Sequence, residues 1–136
     1  MKKREQKFGT ELGKWLQYYG EKELGKSGPI ECKVSIDDKP FNFKSGFKPH
    51  QLPGLIKAQG GVVHYKISDM DRMQKPWDID FYCKAQSFIA IMWIRPKNKT
   101  FYLINPITIQ GLIDDGIKSL TEPMAAQYAD FIGTLK

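Results

Sequence analysis

The spacing of apolar residues along the chain predicts an alternation of helices and strands. Residues 8–19 carry apolar side chains at intervals of three to four positions, which predicts an amphipathic helix that ends at Gly20. Period-two alternation predicts a strand over residues 29–36. The later predicted elements are a helix over 49–60, strands over 62–67, 79–83, 88–94 and 101–104, and helices over 107–120 and 124–135. This order favours an α/β fold, a mixed β-sheet flanked by helices.

The predicted strand over residues 29–36 separates apolar from polar side chains. Ile30, Cys32 and Val34 share one face, and Glu31 and Lys33 share the other, because residues two apart on a strand point the same way. A carboxylate and an ammonium therefore project side by side from one face of this strand.

Composition and charge narrow the class of protein. A chain of 136 residues with 41% hydrophobic residues fits a single domain with one core. The formal net charge of +6 favours a polyanionic partner, nucleic acid before membrane, although many small proteins are basic without a specific reason. Neither a signal peptide nor an apolar stretch of about 20 residues is evident, so we expect a cytoplasmic protein.

The cysteines and histidines favour neither a disulfide nor a zinc site. Cys32 and Cys83 are far apart and each lies beside apolar residues, so we expect two reduced thiols. His50 and His64 have no partner at zinc-ligand spacing. The chemistry is therefore sought among carboxylates and lysines.

Glu31 and Lys33 suit metal-dependent hydrolysis of a phosphodiester. A carboxylate binds a hard divalent cation, Mg²⁺ or Mn²⁺, while a lysine orients the attacking water and offsets phosphate charge. A solvent-exposed ion pair on a strand gives the same pattern, so a second carboxylate is needed. Asp78 is the preferred second metal ligand because it opens a predicted strand, and Asp69 and Asp80 are alternatives.

Several segments resemble PD-(D/E)XK nucleases, and among them Holliday junction resolvases of the phage and archaeal type. The resemblance rests on the Glu-Cys-Lys triplet, on Phe-Gly-Thr-Glu at residues 8–11, on Pro-His-Gln-Leu at 49–52 and on Lys-Pro-Trp-Asp at 75–78. It implies a restriction-endonuclease-like fold and a homodimer with two active sites. The implied catalytic residues are Glu11 as an accessory acid, Glu31, Lys33, Gln51 and Asp78, with Glu31 and Asp78 as metal ligands.

The chain departs from the family pattern in the order of its acids. The metal aspartate normally precedes Glu-x-Lys, but no aspartate precedes Glu31. One interpretation is that the acid–lysine pair has moved to an upstream strand that lies beside Asp78 in the sheet. The other is a degenerate nuclease fold that binds DNA or a protein partner without cutting.

Basic residues around these segments predict a DNA-binding surface that contacts phosphates. We expect a basic arm over residues 1–7, a single nuclease-like domain over 1–136 and C-terminal helices within 107–136. The expected activity is cleavage of branched DNA, such as four-way junctions, in a bacterial or phage-infected cell. The candidate DNA contacts are Lys2, Lys3, Arg4, Lys7, Lys48, Lys57, Arg72 and Lys75.

Overall fold

A computed structural model describes residues 2–20, 27–59, 62–67, 77–82 and 86–135. For 62–67 and 77–82 only the backbone is described. The helices are α1 (Lys2–Trp15), followed by a π-helical turn (Leu16–Gly20), α2 (Phe43–Gly46), α3 (Gln51–Gln59), α4 (Pro106–Asp114) and α5 (Glu122–Tyr128). The strands are β1 (Ser27–Ile36), β2 (Phe41–Asn42), β3 (Val62–Ile67), β4 (Trp77–Tyr82), β5 (Gln86–Ile94), β6 (Thr100–Ile104), β7 (Ser119–Leu120) and β8 (Phe131–Thr134).

The main sheet has four strands in the order β1-β5-β6-β8, and it is mixed. β1 and β5 are parallel, with Glu31 beside Ile89 and Lys33 beside Ile91, whereas β5–β6 and β6–β8 are antiparallel. Because parallel neighbours require a crossover, the chain between β1 and β5 contains α2, α3 and the β3–β4 hairpin. The expectation of a mixed sheet flanked by helices is confirmed.

Helices cover both faces of the sheet, which explains why β5 is apolar almost throughout. Its alternate residues enter two cores. The α1-side core contains Phe8, Leu12, Trp15, Val34, Phe88, Ala90, Met92, Phe101, Leu103 and Leu135. The α3-side core contains Phe41, Phe43, Leu52, Leu55, Ile89, Ile91, Trp93, Tyr102, Ile104, Ile109, Leu112, Leu120 and Ala125.

The two ends of the chain differ from the expected elements. α1 begins at Lys2 rather than at residue 8, so the expected basic arm forms the first turns of a helix. Most of the predicted helix over residues 124–135 is wrong, because α5 ends at Tyr128 and Phe131–Thr134 pairs with β6 as a strand. Gly133 suits that strand, since a Cβ there would clash with the ring of Phe101.

The predicted helix over residues 107–120 is also shorter than expected. α4 ends at Asp114, Gly116 has a φ of +86°, and Ser119–Leu120 pairs with β2. The left-handed conformation at Gly116 turns the chain out of the helix at little steric cost. At the other end of α4, the N-cap residue Asn105 accepts a hydrogen bond through its side chain from the backbone N–H of Ile107.

The interpretation that placed Glu31 beside Asp78 in one sheet is wrong at the level of strand pairing. β4, which contains Asp78, pairs with β3 in a separate antiparallel hairpin, with Asp78 opposite Lys66. β1 is at the edge of the main sheet, and β5 is its neighbour there. The side chain of Asp78 is outside the described residues, so its distance from Glu31 stays a prediction.

Candidate functional site

β1 places Glu31 and Lys33 on the α3 side of the sheet, at its edge. Ile30, Cys32 and Val34 alternate with them and pack on the α1 side. Lys33 is only 6% exposed, which is uncommon for a lysine. A buried ammonium requires nearby acceptors or charges, and the surrounding carboxylates provide them.

Glu31 contacts both of the other groups expected in its site. Nε2 of Gln51 donates a hydrogen bond to Oε1 of Glu31 at 3.0 Å, and Nζ of Lys33 lies 3.5 Å from the same oxygen. Within residues 2–20, 27–59 and 86–135, no hydrogen bond or ion pair involves Oε2 of Glu31. Among the described residues, one carboxylate oxygen therefore has two partners and the other has none.

Gln51 is held in one orientation by the loop that precedes α3. Its Oε1 accepts a hydrogen bond from the backbone N–H of Lys48 at 2.9 Å. Because Oε1 is engaged there, the amide nitrogen is the atom turned towards Glu31. Gln51 thus joins the loop before α3 to the carboxylate on β1, across 20 residues of sequence.

The acid that α1 contributes is Glu5 rather than Glu11. Oε1 of Glu5 lies 3.9 Å from Nζ of Lys33. Glu11 is half-buried on α1 but does not line the cleft described below. At about 100° per residue, Glu5 shares a helical face with Leu12, while Glu11 lies roughly 120° away from Glu5. Glu5 was not predicted as a site residue, because the apolar spacing predicts a helix only from residue 8.

An open cleft of about 1220 Å³ follows the edge of β1 and contains these groups. It is bounded by the first turns of α1, by β1 and by residues 39–51. Seven consecutive residues of β1 (30–36) line it. Its polar lining includes Glu5, Gln6, Glu31, Lys33, Lys39, Asn42, Ser45, Lys48 and Gln51.

Phe47 is a second contributor that sequence reasoning missed. Nζ of Lys33 lies 5.8 Å from the centroid of the Phe47 ring, within the range of a cation–π interaction. The ring is in turn packed edge-on against Phe41, with centroids 5.3 Å apart. The aromatic spacing at residues 41, 43 and 47 is the sequence signal that could have identified it. Phe47 limits where the Lys33 ammonium can lie.

The charges in the cleft also affect the pKa of Cys32, which lies on the opposite face of β1. Burial raises the pKa of the Cys32 thiol to about 11, and the negative charges of Glu31 and Glu5 add to the effect, while Lys33 opposes it. The thiol is therefore protonated at neutral pH, and a buried protonated thiol is a poor nucleophile. Cys32 packs against α1 and is not a candidate catalytic group.

The predicted DNA contacts are distributed over several surfaces. Lys48 lines the cleft, whereas Lys57 is exposed near the end of α3 and does not line it. Lys3, Arg4 and Lys7 are exposed on α1, and the backbone of Lys2 belongs to its first turn. Arg72 and Lys75, like the alternative acid Asp69, lie outside the described residues. The side chain of Asp80 does too.

The described side chains include no group of three or more His, Cys, Asp or Glu residues arranged to hold a metal ion. The cleft contributes two carboxylates, from Glu5 and Glu31, on either side of Lys33. Among the described helices, none is long and apolar enough to cross a membrane.

Comparisons with protein-family models, with curated proteins and with solved structures find no match to this chain. The resemblance to PD-(D/E)XK nucleases therefore depends on the residues themselves, and their roles are proposals.

Proposed function

We propose that this protein is a metal-dependent endodeoxyribonuclease that cleaves branched DNA by phosphodiester hydrolysis, with a PD-(D/E)XK, restriction-endonuclease-like site. One observation carries the proposal: Glu31, Lys33 and Gln51 meet in an open cleft, with Gln51 and Lys33 both on Oε1 of Glu31. A solvated ion pair on a strand would not require an amide from a helix 20 residues later. The convergence of the three groups supports an active site over a surface pair.

Each of these residues has a distinct role in the proposed reaction. The ammonium of Lys33, kept close to Glu31 and to the Phe47 ring, donates hydrogen bonds to the attacking water and offsets the charge of the phosphate. Gln51 holds the carboxylate of Glu31, which lines the cleft, in one orientation through Oε1. The low exposure of Lys33 strengthens its attraction to an incoming phosphate, because little water screens it.

The donor set fits a hard divalent cation, Mg²⁺ or Mn²⁺. Mg²⁺ commonly binds through one or two carboxylates together with waters and substrate phosphates. Oε2 of Glu31 and the carboxylate of Glu5 would hold it, with Asp78 as the further ligand that the resemblance implies. Such an ion supplies a Lewis acid for the phosphodiester and lowers the pKa of a bound water.

A branched DNA substrate and a homodimer follow from the resemblance, and the charge supports a DNA ligand. Resolution of a four-way junction requires two symmetric cuts, and therefore two copies of a site that each chain contributes once. The net charge of +6 favours contacts with DNA phosphates. Through such contacts a protein recognises the shape of a junction rather than its sequence.

The decisive experiment compares a labelled four-way junction with matched linear duplex in Mg²⁺, in Mn²⁺ and in EDTA. Paired symmetric nicks in the junction, dependent on metal and absent from the duplex, are the expected result. Glu31→Ala and Asp78→Ala should each abolish cleavage, and activity surviving in both would sink the proposal. Added Mn²⁺ should raise the melting temperature of the wild type but not of Glu31→Ala, because a ligand bound to the folded state stabilises it.

The second candidate function is binding of DNA without cleavage. Two observations favour it: no aspartate precedes Glu31, and β4 does not pair with β1. Tight binding of the junction with no cut in any metal would select this alternative. The distance between the carboxylates of Glu31 and Asp78, measured in a crystal grown with Mn²⁺, would separate the two candidates directly.

A further inference from the structure

The outward face of α1 carries a row of lysines that the cleft does not use. Lys3, Lys7 and Lys14 are all exposed and recur at intervals of four and seven residues. At about 100° per residue they lie within roughly 40° of one another around the helix axis, and they span about 16 Å along it. They form a single stripe, which we call the α1 lysine stripe.

The α1 lysine stripe faces away from the cleft. Lys3 and Lys7 lie about 160° around the helix from Glu5, the residue by which α1 reaches Lys33. Phe8, Leu12 and Trp15, which fix the inward side of α1, are buried in the α1-side core. A phosphate on the stripe therefore cannot be one that lies in the cleft.

Two further features of this region point to an interaction surface. Basic residues near the N-terminus of a helix are unfavourable for helix stability because they oppose the macrodipole, yet Lys3 and Arg4 are there. Tyr18, in the π-helical turn one turn beyond Lys14, is 79% exposed, the largest exposed fraction among the large apolar side chains described. Neither feature contributes to the packing of the fold.

We propose that the α1 lysine stripe binds the phosphate backbone of a nucleic acid, as a second contact surface separate from the cleft. Charge complementarity selects a polyanion, and a membrane surface is disfavoured because the apolar face of α1 is buried in the core and cannot enter lipid. The proposal rests on the proposed function only in taking DNA as the ligand. A substrate held on both surfaces must extend around α1, which a branched molecule can do with two of its arms.

The test measures binding in EDTA, where cleavage is absent, of a fluorescein-labelled four-way junction and a matched duplex. The variant Lys3→Gln/Lys7→Gln/Lys14→Gln is compared with a control of equal charge change, Lys97→Gln/Lys99→Gln/Lys118→Gln, in which all three lysines are also exposed. Glutamine has nearly the helix propensity of lysine, so α1 should persist, and thermal melting checks this.

The stripe variant should bind the junction about tenfold or more weakly, and its log–log salt slope should be lower by about 2 to 3, since each lost phosphate contact removes about 0.9. The control should retain most of the affinity and the full slope. Equal losses in the two variants, or none in either, would overturn the inference, as would a wild type that binds no DNA.

The inference and the proposed function can fail separately. If the stripe variant binds normally while Glu31→Ala abolishes cleavage, the stripe is not a DNA contact and the nuclease proposal stands. If the stripe carries binding but no metal supports cleavage, the stripe stands and the nuclease proposal fails. Vesicles containing phosphatidylserine serve as a third ligand, and a loss of binding confined to them would also overturn the inference.

Discussion

Two clusters of charged residues on the α3 side of the sheet differ in how completely their carboxylates are engaged. In one, Nη1 of Arg95 lies 2.6 Å from Oε1 of Glu122, and the Tyr102 hydroxyl donates to Oε2 at 3.0 Å. In the other, Oε1 of Glu31 has two partners and Oε2 has none among the described residues. The Glu122 cluster is closed, whereas the Glu31 cluster opens onto a cleft.

The difference separates a structural ion pair from a candidate site. Glu122 begins α5, and its two partners are Arg95, directly after β5, and Tyr102 in β6, so the cluster holds the C-terminal helix against the sheet. The hydrogen bond that Arg95 donates to Glu122 raises the pKa of the guanidinium. The pKa of Tyr102 is raised mainly by burial of its hydroxyl and then by the hydrogen bond to Glu122. Both groups keep the protonation states that the pair requires over the whole physiological range.

The largest expected effect is a difference in cleavage per folded molecule between Glu31→Ala and Glu122→Ala. Glu31→Ala should reduce metal-dependent cleavage per folded molecule by about 100-fold or more. It should also lower the melting temperature, because the buried Lys33 ammonium loses one of its two nearby carboxylates. Glu122→Ala should lower the melting temperature by roughly 5 to 10 °C, because the partly buried Tyr102 hydroxyl loses its acceptor, yet leave cleavage per folded molecule unchanged. Calorimetry and the junction assay on both variants make the comparison.

Glu31→Gln and Glu122→Gln are the matched controls for the change in side-chain volume, because each removes the carboxylate charge and preserves the volume. If Glu122→Ala abolishes cleavage at a temperature where it is fully folded, the distinction between the two clusters is wrong. If Glu31→Ala cleaves at the wild-type rate per folded molecule, the cleft cluster is structural instead.

The next effect tests whether Gln51 acts through Glu31. Gln51→Leu removes the amide that orients the carboxylate, and cleavage should fall by about tenfold, the size expected for losing one hydrogen bond to a charged group. The metal concentration giving half-maximal cleavage should rise at the same time, which a purely structural role would not produce. Gln59→Leu is the control on the same helix, because Gln59 bonds Ser87 and Asn105 away from the cleft.

The fold was predictable from the sequence wherever one periodicity dominated. β1 was predicted from its alternation of apolar and polar residues, and β5 from its continuous apolar run. Such a run is expected for a strand whose two faces are both covered. The prediction of a helix over residues 124–135 failed because four apolar residues there have a helix-like spacing: Met124, Tyr128, Ile132 and Leu135. Pairing of β8 with β6 overrides that local preference, and no local pattern reports a strand partner 30 residues away.

The site was predictable in part, for a related reason. Glu31 and Lys33 share a face by strand geometry alone, whereas the contact with Gln51 was implied only by resemblance. Glu5 was missed because residues 2–7 are polar and give no apolar periodicity, although they are helical. Where the first turns of a helix contain no apolar residues, the sequence does not indicate which of their polar residues faces inward.

The smallest expected effect uses Cys32 as a probe of the open cluster. Because Glu31 and Glu5 raise the pKa of its thiol, Glu31→Gln or Glu5→Gln should lower that pKa and increase the thiolate fraction at pH 8.5. The rate of alkylation by iodoacetamide should rise about two- to fivefold in either variant, the effect of one nearby charge partly screened by water. A Cys83→Ser background confines the signal to one thiol.

Glu122→Gln in the same background is the control, because Glu122 does not contribute to the pKa of Cys32. An equal acceleration in all three variants would indicate a general loosening of the fold rather than removal of a nearby charge. An acceleration in Glu31→Gln alone would place Glu5 outside the open cluster and leave Asp78 as the sole candidate for the second acid. If both cleft variants accelerate and the control does not, the two carboxylates act on one small volume beside β1, which is the condition that sharing a single divalent cation requires.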